Sequence, residues 1–197
     1  YFLLLNHAAE KGQSTFETII GENSVIRSQA YVAPDNVVIG NNVRIEEFAC
    51  VYEGSVIEDN CVIRSGAKIG IQDFNYYIDG EEIHHVIHQG KTVLKKGVVV
   101  GFNSVIGRAL YGYSSTLIGE QCKIGCNSSV GHDCKVGKKV LIGGNVIVGG
   151  NTIIGELVNI SIGATLKNAI VIGDRANIEM GAVVVRDVEK DRAVFGN

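Results

Sequence analysis

The sequence predicts an all-β fold, a solenoid of short strands, from three observations. An aliphatic residue recurs every six positions, a glycine follows it in ten of the fifteen C-terminal repeats, and the 197 residues hold 25 Gly, one Pro and no Trp. From Val100 to Val184 in steps of six, fourteen of fifteen positions are aliphatic, and Gly112 is the exception. In the N-terminal half Ile20, Ile26 and Val32, then Ile39 to Ile69 in the same steps, are aliphatic without exception. A helix repeats its apolar stripe every 3.6 residues and a half-buried strand every 2, so a period of six calls for a short strand and a corner in each repeat.

The elements follow in chain order. Residues 1–19 are read as an N-terminal cap, in which "LLLNHAAEKG" forms a short helix closing at Gly12. Residues 20–189 carry the hexads: aliphatic, Gly, two polar, small, variable. The glycine is expected to relieve crowding at the bend, and the small fifth residue (Ser104, Ser128, Ala164, Ala176) to share the interior with the large first one. Cys61, Cys122 and Cys134 fall at that small place and are read as packing. Residues 190–197 form a C-terminal tail, since a solenoid needs both ends covered.

Between Ile69 and Val100 the register slips by one residue, and residues 71–97 read as an excursion loop. A loop of that length inside a compact repeat is functional or disordered. Phe74, Tyr76, Tyr77, His84, His85 and His88 make it aromatic, and it is expected to order against a neighbouring chain. The histidines have no Cys or carboxylate at a spacing suited to zinc, so no metal is expected.

Composition excludes several classes. A net charge of −3 with a pI near 6.0 argues against nucleic acid as the main partner. No apolar run approaches the roughly 18 residues of a membrane span. Five cysteines without paired spacing are read as reduced, in a cytoplasmic protein.

His132, in "SSVGHDCKVG", is the one histidine on the repeats; it takes the outward third place of its hexad, after Val130 and Gly131. Steps of 18 along that edge give Ser114, His132, Gly150, Asn168 and Arg186. The side chain vanishes one step beyond the histidine, leaving a groove floor and an accessible backbone N–H at Gly150; an amide and a cation follow. Imidazole titrates near neutrality and suits a general base. Asp133 stands beside it to orient it or to hold an acceptor, and Gly149, Asn168 and Arg186 are read as contacts for a donor arm.

The hexads resemble those of the hexapeptide-repeat acyltransferases. That resemblance implies a left-handed parallel β-helix of 18-residue triangular coils, here about eight, and a homotrimer that covers the flat outer faces. "KIGCNSSVGHDCKVG" resembles the active-site coil of UDP-3-O-acylglucosamine N-acyltransferases of lipid A synthesis, and "GHDC" and "VVVRDVEKDRAVFGN" are similar to sugar acetyltransferases of the sialic acid and bacillosamine type. It implies His132 as catalytic base and Gly150 N–H as oxyanion donor. Gly125 and Cys126 depart from the Asp-Asn pair of the lipid A enzymes.

The expected function is therefore transfer of an acyl group, acetyl from acyl-CoA, to an amino or hydroxyl group of a nucleotide-linked sugar in lipopolysaccharide or surface polysaccharide synthesis. The alternatives are an acyl carrier protein donor of the lipid A type and a non-catalytic solenoid. A γ-type carbonic anhydrase needs more interface histidines than the repeats supply.

Overall fold

The computed structural model describes residues 15–196; the helix expected at 3–12 lies outside them. Three parallel sheets of eight, nine and eight strands form the faces of a prism, and a two-stranded antiparallel hairpin projects from it. The first face runs from Ile19–Ile20 to Val171–Ile172, the second from Val25–Ile26 to Ala193–Val194, and the third from Tyr31–Val32 to Val183–Val184. Successive strands take successive faces, so each coil closes after three hexads and its residues pair with those 18 ahead, as Val130 does with Val148.

The aliphatic of each hexad points inward. Ile39, Ile63, Ile106, Ile118, Ile160 and Leu166 are completely or almost completely buried, and the continuous core formed by such residues is the main favourable contribution to folding. The small place is buried as expected. Cys134 Sγ donates to Gly149 O at 3.2 Å, and burial pushes its thiol up to about 12, so it is an inert packing group.

The glycines differ from expectation in their reason. Left-handed backbone falls at the fourth place, on Asn103, Asn127, Asp133, Asn145 and Asn151, with φ between 55° and 60°; Asn and Asp tolerate it best among residues with a Cβ. The glycine at the second place has no such φ except at Gly70, φ 81°, where the first insertion begins. A Cβ on Gly131 would stand 2.7 Å from Gly150 N, so this glycine lets the corner of one coil rest on the backbone of the next.

Two insertions interrupt the stack, both where the chain turns from the third face to the first. Ile69 pairs with Ile106, 37 residues ahead instead of 18, so 19 residues are added there. Ile106 pairs with Val130, 24 ahead, so six more are added one coil later. The first insertion is shorter than the expected 71–97. Lys91–Leu94 already lies in the first face, between Ser55–Ile57 and Ser115–Ile118, because Leu94 is the inward aliphatic six residues before Val100. Within the insertion Tyr76–Asp79 pairs with Glu82–His85. The tail is also more regular than expected: Ala193–Val194 adds a strand beside Asn177–Ile178.

Candidate functional site

The second insertion changes which residues stack at the corner that carries His132. Because Ile106 is the partner of Val130, the residue one coil before His132 is Arg108, and Ser114 is not in the column. The later members hold: Val130, Val148, Leu166 and Val184 are partners in turn, which aligns His132, Gly150, Asn168 and Arg186 on consecutive coils. At about 4.8 Å per coil the column from His132 to Arg186 spans roughly 14 Å. Asn168 and Arg186 are exposed along it.

Ser114 reaches the site by another route. Its hydroxyl donates to Asp133 Oδ1 at 2.6 Å, while Leu110 N–H donates to Asp133 Oδ2 at 2.9 Å. Asp133 N–H is held by the buried Thr116 Oγ1 at 2.8 Å. Asp133 lies in left-handed backbone, φ 59°, and His132 Nδ1 is 2.9 Å from Asp133 Oδ2. Burial alone would raise the Asp133 carboxyl, but the bonds from His132, Ser114 and Leu110 bring it down to about 2. An ionised carboxylate only accepts, so Nδ1 carries the imidazole proton and Nε2 is left basic.

That basic nitrogen lies over Gly150. A Cβ there would stand 2.6 Å from His132 Nε2, so glycine is what lets the imidazole occupy this position. The N–H at this place of the hexad points out of the coil. At Asn41 and Glu156 it donates to Asp59 and Asp174, and at His132 itself it donates to Asp73 Oδ2 at 2.9 Å. The Gly150 N–H has no acceptor among the described residues. Gly149, expected to touch a donor arm, uses its N–H on Leu166 O at 2.9 Å and packs against Asn168 N; it forms the floor and donates nothing outward.

The first insertion returns to the same corner. Its base is ordered against its own chain: Asp73 binds the His132 amide, and the buried His88 sets its ring 5.4 Å from the His132 ring, nearly perpendicular to it. His88 Nδ1 meets Arg108 O at 2.7 Å, which fixes the proton on Nδ1. Its Nε2 is buried with no partner among the described residues, and burial holds its pKa below the ordinary histidine range. His85 stacks on His88, and Tyr76 and Phe74 continue the ring file outward. No group of three or more His, Cys, Asp or Glu suited to a metal occurs among the described residues.

Asp73, Leu110 and Thr116 are not singled out by the sequence, His88 is singled out only as part of the aromatic excursion, and Ser114 is placed in a column to which it does not belong. The signal for them is the distance between stacked aliphatics: 37 and 24 in place of 18 locate both insertions at the His132 corner.

The bacterial transferase hexapeptide model matches residues 36–70 and 115–150. The UDP-3-O-acylglucosamine N-acyltransferase of Helicobacter pylori is 37% identical over 75 residues, 37% of this chain and 21% of that protein. The Polynucleobacter asymbioticus protein of that name is 31% identical over 109 residues, 53% of this chain and 30% of its own length. The chain thus spans less than a third of these curated relatives. Among solved structures, the UDP-N-acetylglucosamine acyltransferase of Campylobacter jejuni superposes with a TM-score of 0.81 at 22% identity, over 91% of this chain and 68% of that one. The likeness gives the prism its left hand.

Proposed function

We propose that this chain, a left-handed β-helix whose residues 36–70 and 115–150 match the bacterial transferase hexapeptide model, transfers an acyl group, acetyl from acetyl-CoA, to an amino or hydroxyl group of a nucleotide-linked sugar. The observation that carries the reading is the His132 imidazole, its proton fixed on Nδ1 by Asp133 and its basic Nε2 set over Gly150. In this reading Nε2 removes the proton of the attacking amine or hydroxyl. The oxygen of the thioester becomes an oxyanion as the acceptor adds, and the outward Gly150 N–H stabilises it. Collapse expels the thiolate, which takes the proton from the imidazolium.

Asn168 and Arg186, on the next two coils, contact the donor arm over the floor that Gly149 forms. A short acyl group from coenzyme A is favoured over a carrier protein donor because the column beyond Gly150 is polar and ends on a cation. The protein works in the cytoplasm, in lipopolysaccharide or surface polysaccharide synthesis, as a homotrimer.

The test is thiol release from acetyl-CoA with a panel of nucleotide amino sugars. His132→Ala is expected to lower kcat by about 10²–10⁴-fold while the coils remain folded. Release that survives the substitution removes His132 as the base. No release with any acceptor, from acyl-CoA or from an acyl carrier protein thioester, favours a non-catalytic solenoid.

A further inference from the structure

Arg108 takes the corner place of the coil before His132, where the two insertions meet. It is half-buried, and burial lowers its pKa from the ordinary arginine value. Its Nε donates to Gly90 O at 2.7 Å, and its Nη nitrogens have no hydrogen-bond partner among the described residues. The guanidinium lies against Gly54, where an added Cβ would stand 3.0 Å from Nη2. There it lines a cavity of about 270 Å³ with Lys91, Asn36, Gln89, Gly90 and Gly112. No carboxylate among the described residues lines this cavity. Glu53 attracts Arg108 from the neighbouring pocket, yet among the described residues neither Arg108 nor Lys91 forms an ion pair.

A half-buried guanidinium with no ion pair is costly, and a planar fork of N–H donors beside a second cation matches phosphate oxygens. We propose that the cavity between Arg108 and Lys91 is a phosphate site that receives the diphosphate of the acceptor. Assigning the anion to the acceptor rests on the acyl-transfer reading; the site itself does not. The geometry favours the acceptor over the pyrophosphate of coenzyme A. Arg108 leaves the stack one coil before His132 and its guanidinium reaches back to Gly54, whose coil lies three before that of His132, about 14 Å along the stack, while Gly150, Asn168 and Arg186 lead the other way. An acceptor that reacts at His132 Nε2 and extends along the stack toward Arg108 carries its diphosphate away from the Gly150, Asn168 and Arg186 column. Arg108 also holds His88 through its carbonyl, and His88 abuts His132, so the same residue frames both ends of the acceptor.

The probe is inorganic pyrophosphate, titrated calorimetrically into the full chain at low salt. Binding at one site per chain is expected. Arg108→Gln should weaken it by about 10- to 100-fold, the loss expected when charge-assisted hydrogen bonds are removed. Lys91 is exposed, so Lys91→Gln tests the site where a change at Arg108 disturbs the coil, and it should weaken binding several-fold; Lys138→Gln, at an exposed lysine outside the cavity, should bind as the wild type does. No binding by the wild type, or binding that both variants leave unchanged, overturns the site.

In the transfer assay Arg108→Gln should raise KM for the nucleotide sugar and leave KM for acetyl-CoA unchanged. The opposite pattern assigns the anion to coenzyme A and overturns the acceptor assignment. Arg108-dependent pyrophosphate binding without transfer to any acceptor defeats the acyl-transfer reading and upholds the site.

Discussion

At His132 the decisive partner is its sequence neighbour. Asp133 points back beside the imidazole because the fourth place of most hexads takes left-handed backbone, and at this corner Ser114 and Leu110 hold the carboxylate there. A carboxyl held at about 2 against an ordinary 3.8 contributes on the order of 2 kcal/mol to folding. Because the folded value is the depressed one, the contribution is complete above about pH 4 and is lost as pH falls towards 2. Asp133→Asn is therefore expected to be less stable than wild type near neutrality, with the gap closing between about pH 4 and 2. Urea unfolding at several pH values measures this, and a gap independent of pH would show that the carboxylate is not held by these donors. The same substitution removes the group that fixes the Nδ1 proton, so kcat should fall as well.

At the level of the coil, the two kinds of glycine make different demands. Gly131 has ordinary backbone but rests on Gly150 N, where a methyl group would meet main chain at 2.7 Å; Gly163 has φ 74° and open space around it. Gly131→Ala is expected to push apart the coils that carry His132 and Gly150, costing about 1–3 kcal/mol and most of the activity. Gly163→Ala should cost about 1 kcal/mol through its backbone alone and leave kcat near wild type. Thermal melts beside the transfer assay separate the two, and equal losses of activity would sink the distinction. The period of six made the strands and the inward faces of the coils legible, because burial repeats at every aliphatic. It gave no hint that the glycine serves coil-to-coil contact, since close approach between residues 18 or 19 apart leaves no local pattern. The same holds for Asp73, 59 residues before the amide it binds. Ser114 was noticed for an 18-residue spacing that the six-residue insertion abolishes, although it does reach the site.

At the scale of the whole prism, the unresolved demand is on the flanks of the His132 corner. Outward places on the two faces that meet there hold exposed aliphatics: Ile147 and Val183 on the third, Ile153 and Val171 on the first, between 43% and 69% exposed. Ile153 and Val171 are partners on adjacent coils, and Ile147 and Val183 stand on either side of Thr165; exposed apolar side chains stacked in this way form patches of the kind that mark association surfaces. The strand edges are already paired along the stack, so association through these patches is by side-chain packing between flat faces. A homotrimer with this corner turned toward a neighbouring chain would cover both flanks and close the open side of the Gly150 column. Sedimentation equilibrium is expected to give three chains per particle. Replacing Ile153 and Val171 together by Lys should yield monomers with unchanged circular dichroism, because neither residue belongs to the core. If the corner works only when a neighbour closes it, those monomers should lose transfer activity; full activity in a monomer would place the complete site within one chain.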